Sequence, residues 1–123
     1  MSRDHRRFSV FSEANTLVVR VYRVTASIPV SERFGLQAQI RRAAVSVPTN
    51  IVEGSARDST TEYCRFLEIA SARECEYLAQ LCACLGFMGG DEAAALASRY
   101  EAVASKLLAA RHSLKNRPDS VGR

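Results

Sequence analysis

The sequence predicts an all-α protein, an up-down-up-down antiparallel four-helix bundle whose second helix is kinked at Pro48. Three observations carry this reading. Apolar residues recur near the 3.6-residue period in four separate stretches. Short segments rich in Pro, Gly, Ser and Asp separate those stretches. The chain has 123 residues, 47% of them hydrophobic, which makes one domain with a core of its own. No stretch alternates as a strand, and no internal repeat is present.

Residues 1–11 read as a basic N-terminal arm that docks in part through Phe8, Val10 and Phe11. The first helix is expected from Ser12 to Ser27, with Ser12 as its N-cap. Ala14, Leu17, Val18, Val21, Val24 and Ile28 keep helical spacing. The β-branched content (Val18, Val19, Val21, Val24, Thr25) also suits a strand, but the apolar period is nearer 3.6 than 2. Pro29 stops the helix and pushes Ile28 toward extended geometry. The segment Ile28–Gly35 reads as a connector.

The second helix, from Phe34 or Gly35 to Arg57, has three stripes at 100° per residue. Leu36, Ile40, Ala43, Val47, Ile51 and Gly54 form an apolar one. Gln39, Arg42, Ser46, Asn50, Glu53 and Arg57 form a polar one. Ala38, Val45, Val52 and Ala56 form a second apolar one. Interior Pro48 removes a hydrogen bond at a cost of ~3 kcal/mol, yet the stripes keep phase across it. One kinked helix is therefore expected rather than two.

Ser59 and Glu62 have capping-box spacing, which starts the third helix. It is expected to run to Leu85 with Tyr63, Phe66, Leu67, Ala70, Tyr77, Leu78, Leu81 and Leu85 as its apolar stripe. Gly86 is the natural C-cap. Asp91 caps a fourth helix, Glu92 to Lys115, with Leu96, Tyr100, Val103, Leu107 and Leu114 facing the core. Arg111 and Lys115 suit the negative end of its dipole. The bundle thus spans residues 12–115, and residues 116–123 form a frayed tail.

Composition bounds function. No apolar run is long enough to span a bilayer. The N-terminus MSRDHRRFSVFSEAN lacks the apolar core of a signal peptide, so a cytoplasmic, non-secreted protein is expected. Cys64, Cys75, Cys82 and Cys84 fall in one helix, without disulfide geometry or metal-type CxxC pairs; they read as small packing residues in a reducing compartment. The formal net charge is +4. Residues 58–90 carry two arginines against five acids, whereas residues 1–33 carry six against three.

The run QIRRAAVSVPTNIVEG, followed by EYCRFLEIASARECEYLAQL, resembles the four-helix-bundle family known as the 23S rRNA intervening-sequence protein family. Its R-R-A-A/S-x-S-I/V-x-x-N-I-A-E-G pattern is matched by Arg41, Arg42, Ala43, Ala44, Ser46, Val47, Asn50, Ile51, Glu53 and Gly54. Val52 departs from it, standing where the family has alanine. An F-L-x-I-A start to the third helix is matched by Phe66, Leu67, Ile69 and Ala70, with Glu76 as the following acid. A small Gly-Ser pair of the family is Ala72-Arg73 here. The resemblance implies a four-helix bundle that can assemble as a homopentamer; it does not imply a catalytic activity, and no cofactor is expected. The accessory protein of diversity-generating retroelements resembles the family in fold and binds nucleic acid through a basic pentamer.

The polar stripe is the candidate site. A Ser–Asn–Glu–Arg set could position a ligand, but a buried polar network of Arg42, Ser46, Asn50, Glu53 and Glu74, closed within the chain or by a neighbouring subunit, is the expectation. Glu53 and Glu74 lack a histidine or metal spacing beside them, so no catalytic pair is expected. No metal or small-molecule substrate is implied. Ala38, Val45, Val52 and Ala56 are the expected oligomer interface, small and β-branched residues that suit close helix approach. The chain is thus expected to be a non-enzymatic, self-assembling structural or interaction module. The alternative is an oligomer that binds RNA or DNA through Arg3, Arg6, Arg7, Arg20 and Arg23 at one end of the sequence and Arg99, Lys106, Arg111, Lys115 and Arg117 at the other, without base-reading motifs.

Overall fold

The structure, a computed structural model, describes residues 5–56 and 61–115, with side chains for 9–54 and 62–112. Four helices form: α1 (His5–Val24), α2 (Leu36–Ala56), α3 (Thr61–Cys84) and α4 (Gly90–Lys115). A one-turn 3-10 helix, Val30–Glu32, lies in the α1–α2 connector. No strand occurs among the described residues.

The helix α1 begins inside the expected arm, and Ser12 is an exposed residue within it rather than its N-cap. The cause is Val10, which continues the Ala14, Leu17, Val21 stripe one turn back and is buried with it. Residues 1–4 and 116–123, the ends of the expected arm and tail, lie outside the described residues, as does Ser59 of the expected capping box.

Helix α2 runs unbroken through Pro48. Its start is capped by Glu32, whose Oε1 accepts from the Leu36 amide at 3.2 Å. A Cβ on Gly35 would sit 2.8 Å from that oxygen, so a larger residue there would make the Glu32 carboxylate shift. Three side chains of α2 bond its own backbone around the proline. Ser46 Oγ donates to Ala43 O at 2.7 Å, Thr49 Oγ1 to Val45 O at 2.8 Å, and Asn50 Nδ2 to Ser46 O at 2.8 Å.

Helix α3 ends in a Schellman motif. The Phe87 amide donates to Cys82 O at 2.8 Å and the Gly86 amide to Ala83 O at 3.0 Å, with Gly86 at φ 80°. That left-handed backbone favours glycine.

Polar contacts fix the topology. Gln37 Nε2 donates to Thr25 O at 2.9 Å and Arg41 Nη2 to Tyr22 O at 3.1 Å, so α2 begins where α1 ends. Gly54 lies against Cys64, Arg65 and Glu68, pairing the end of α2 with the start of α3. Arg111 meets Glu62 at 2.8 Å, joining the end of α4 to the start of α3. Arg20 meets Glu92 at 2.7 Å and Arg99 meets Glu13 at 3.1 Å, so α4 descends along α1. Each helix is antiparallel to both neighbours, in the order α1, α2, α3, α4 and back to α1. The α2–α3 and α3–α4 contacts are the most extensive.

The core is Val10, Leu17, Val21, Ile40, Val47, Ile51, Leu78, Leu96, Tyr100, Val103 and Leu107 with small residues between them. On α3 the expected stripe is corrected. Tyr63, Phe66, Ala70, Tyr77 and Leu85 are exposed, and Leu67 and Leu81 are half-buried. The buried face is Cys64, Glu68, Ala72, Cys75, Ala79 and Cys82, with Leu78 at its edge. Small side chains win because α3 packs closely on α2 and α4 at once, and a large residue on that face would overfill the core. Leu114, expected in the core, has no described side chain.

Candidate functional site

Each residue of the expected polar network has a definite place. Arg42, Glu53 and Glu74 are exposed in the single chain. Ser46 and Asn50 are half-buried and bond their own helix. The chain by itself does not bury this set, because the polar stripe of α2 points beside the core and not into it.

The buried polar pair is elsewhere. Glu68 is fully buried and Arg65 nearly so, with Arg65 Nη1 3.7 Å from Glu68 Oε2. They sit under Gly54. A Cβ there would lie 3.0 Å from Cys64 Cβ, 3.1 Å from Glu68 Oε2 and 3.4 Å from Arg65 Nη1. The glycine that ends the N-I-x-E-G run thus lets α2 pass over an ion pair on α3. The E-Y-C-R-F-L-E run gave no periodic signal for this pair, since both residues look like surface charges until α3's phase is known.

The Cys75 thiol is pushed up from 9.0 to about 12, chiefly by burial, and burial raises Cys82 as well. The Tyr100 phenol beside Cys75 is raised by the same burial. Groups held protonated in this way are packing residues and not nucleophiles. Cys84 alone among the four is exposed. Among the described residues no three His, Cys, Asp or Glu side chains converge as metal ligands, and no helix is long and apolar enough to cross a membrane.

Two outward surfaces remain. The first is the outer face of α2. Phe34 is 88% exposed, Val52 54% and Val45 39%; Ala38 is half-buried and Ala56 has no described side chain. Beside Ala38 and Val45 runs an open groove of about 670 Å³, lined also by Tyr22, Arg33, Phe34, Gln37, Arg41, Arg42, Ser46 and Thr49. Three guanidiniums and no carboxylate line it. Arg41 is held in place: its Nε donates to Thr25 Oγ1 at 3.0 Å, and its guanidinium stacks 4.4 Å from the Tyr22 ring centroid. It caps the Tyr22 carbonyl at the end of α1 while presenting charge to the groove. Arg33 lies over Phe34 at 5.9 Å.

The second surface is the outer face of α3, nearly opposite its core face at 100° per residue. Tyr63, Phe66, Tyr77 and Leu85 are each more than half exposed. Glu74 and Arg73 flank the aromatic stripe on its two edges. An ordinary surface helix has a single apolar face; α2 and α3 each have two.

The arginines expected to meet nucleic acid are largely occupied where they are described. Arg20, Arg99 and Arg111 are paired with Glu92, Glu13 and Glu62. Arg23 and Lys106 are exposed. Arg3 and Arg117 lie outside the described residues, and the side chains of Arg6, Arg7 and Lys115 are not described. A smaller groove of about 370 Å³ between Asn15 and Arg23 includes Arg20 and Arg99, both already paired.

None of the curated proteins matches the chain. Among solved structures, the crystal structure of a protein of unknown function from the S23 ribosomal protein family of Bacteroides thetaiotaomicron superposes with a TM-score of 0.79. It is 15% identical and covers 87% of this chain and 98% of its own; at that identity the likeness speaks for the fold. The family model described as 23S rRNA-intervening sequence protein matches residues 6–109, and these residues hold all of α2 and α3, the motif run from Arg41 to Gly54 and the aromatic stripe. The chain belongs to the 23S rRNA-intervening sequence protein family.

Proposed function

We propose that the protein is a non-enzymatic, self-assembling helical module whose work is done by the surface of its homo-oligomer, with five copies as the number the family resemblance implies. The observation that carries this is the second apolar face on each of α2 and α3. Val45 and Val52 on one, and Tyr63, Phe66 and Tyr77 on the other, stand in water although the core is complete without them. Contiguous exposed apolar surface of this kind marks interaction sites. Full burial of the two valines would contribute ~1.5–3 kcal/mol each. Val52→Glu is therefore expected to lower the mass in size-exclusion chromatography to that of one chain and leave the helical circular-dichroism melt cooperative. An unchanged elution volume for this variant contradicts the α2 interface.

A second reading, an oligomer that binds RNA or DNA, is supported by the acid-free arginine groove more than by the paired arginines of α1 and α4. Binding would be electrostatic and weakly selective. With three guanidiniums engaged, affinity for a single strand should fall with a log–log salt slope of about 2 per groove. Absence of binding to any strand at low salt removes this reading.

A further inference from the structure

The two outward faces differ in chemistry. The α2 groove offers cations from Arg33, Arg41 and Arg42 over an apolar floor of Ala38 and Val45, with no carboxylate in its lining. The α3 face offers aromatic rings with the exposed carboxylate of Glu74 at their edge. Of the charges on α3 outside its buried Arg65–Glu68 pair, Glu62 is paired with Arg111 and Glu76 is half-buried, which leaves Glu74 and Arg73 exposed at the two edges of the aromatic stripe. We infer that the α2 groove of one chain receives the α3 outer face of a second copy, so that assembly is head-to-tail. The inference rests on the self-assembly reading and adds which surface meets which.

Three pairings are open to the two faces. Setting α2 on α2 brings two sets of three arginines together with no acid in the grooves, a like-charge contact that costs binding energy. Setting α3 on α3 buries the aromatics and leaves Val45, Val52 and the arginine groove in water. Setting α2 on α3 covers both apolar faces and places Glu74 among guanidiniums. Aromatic rings and arginine are the side chains that anchor protein contacts best, and here each face holds one kind. A contact between two different faces is heterologous, and it terminates without further partners when the rotation closes into a ring.

The test is complementation. Val45→Glu spoils the groove and keeps the α3 face; Tyr77→Glu does the reverse. Each variant alone is expected to run as one chain in multi-angle light scattering, with a cooperative helical melt. Mixed in equal amounts, they should form a one-to-one heterodimer and nothing larger, because each supplies the face the other lacks. Should either glutamate variant fail to fold, Val45→Ser and Tyr77→Ser replace it, with at least a tenfold loss of self-affinity expected. A wild-type oligomer whose mass survives Tyr77→Glu, or a mixture that stays monomeric, overturns the pairing and leaves self-assembly standing. A monomeric wild type overturns both. A labelled single-stranded RNA bound by the wild-type oligomer, and lost in R41E/R42E with the mass unchanged, gives the groove to phosphate and overturns the pairing.

Discussion

A methyl group at Gly54 would be crowded. On an exposed helix position, glycine to alanine stabilises by ~1 kcal/mol. Here the added Cβ would press on Cys64 Cβ at 3.0 Å and on Glu68 at 3.1 Å, and overfilling of this kind costs ~1–3 kcal/mol. Gly54→Ala should therefore lower the melting temperature, by about 4 °C for each net kcal/mol lost; a rise would show that α2 does not pass this close to α3. Glu68→Ala should cost more, about 3 kcal/mol, because it breaks a buried ion pair; urea unfolding measures it. The thiols give a pH prediction. The folded Cys75 keeps its proton to about pH 12, whereas an ordinary thiol gives it up near 9.0. The stability this group contributes is therefore flat below pH 9 and falls between pH 9 and 12, by up to ~1.4 kcal/mol per unit, with Cys82 and Tyr100 acting in the same direction. In the folded protein a thiol reagent should modify Cys84 and spare the other three until denaturant is added. The sequence shows the Arg41–Gly54 motif at once. It hides the Arg65–Glu68 pair, because a charge's burial depends on the partner helix and not on its own spacing.

At the level of elements, α1, α2 and α4 were legible because their large apolar residues are also their buried ones. Leu17 and Val21, Ile40 and Val47, and Leu96, Tyr100 and Leu107 all face the core. Helix α3 was legible as a helix but not in phase. Its size-weighted pattern points to Tyr63, Phe66 and Tyr77, and its core face is made of Cys, Ala, one Leu and the buried Glu68. Periodicity reports that a face is apolar; it does not say whether that face looks inward or toward another molecule. Boundaries were less legible than phases, as Val10 and Glu32 show: one extends α1 and the other caps α2 from a turn away. The Gly86 turn gives a clean element-scale test. A Cβ there meets nothing within 4 Å, yet φ is +80°, so Gly86→Ala should cost ~1 kcal/mol from backbone strain alone. Gly90→Ala, equally open and without a positive φ, should leave the melt unchanged or raise it slightly. Equal effects from the two would contradict the Schellman assignment.

For the whole molecule, the antiparallel order follows from short connectors and is held, among the described residues, by the Arg20–Glu92, Arg99–Glu13 and Arg111–Glu62 ion pairs at the helix surfaces. Each exposed pair is worth ~0.2–1 kcal/mol, so their role is to fix register and to neutralise arginines that would otherwise repel. What they leave unneutralised is the α2 groove, and what the core leaves uncovered is the aromatic stripe of α3. On the proposed reading, other copies of the chain cover these surfaces. The most direct measurement is the mass of the wild-type protein by multi-angle light scattering across a micromolar concentration series. A constant mass several times the 13.5 kDa of one chain is expected, five times at the number the family resemblance implies. A mass of one chain throughout the series would contradict it.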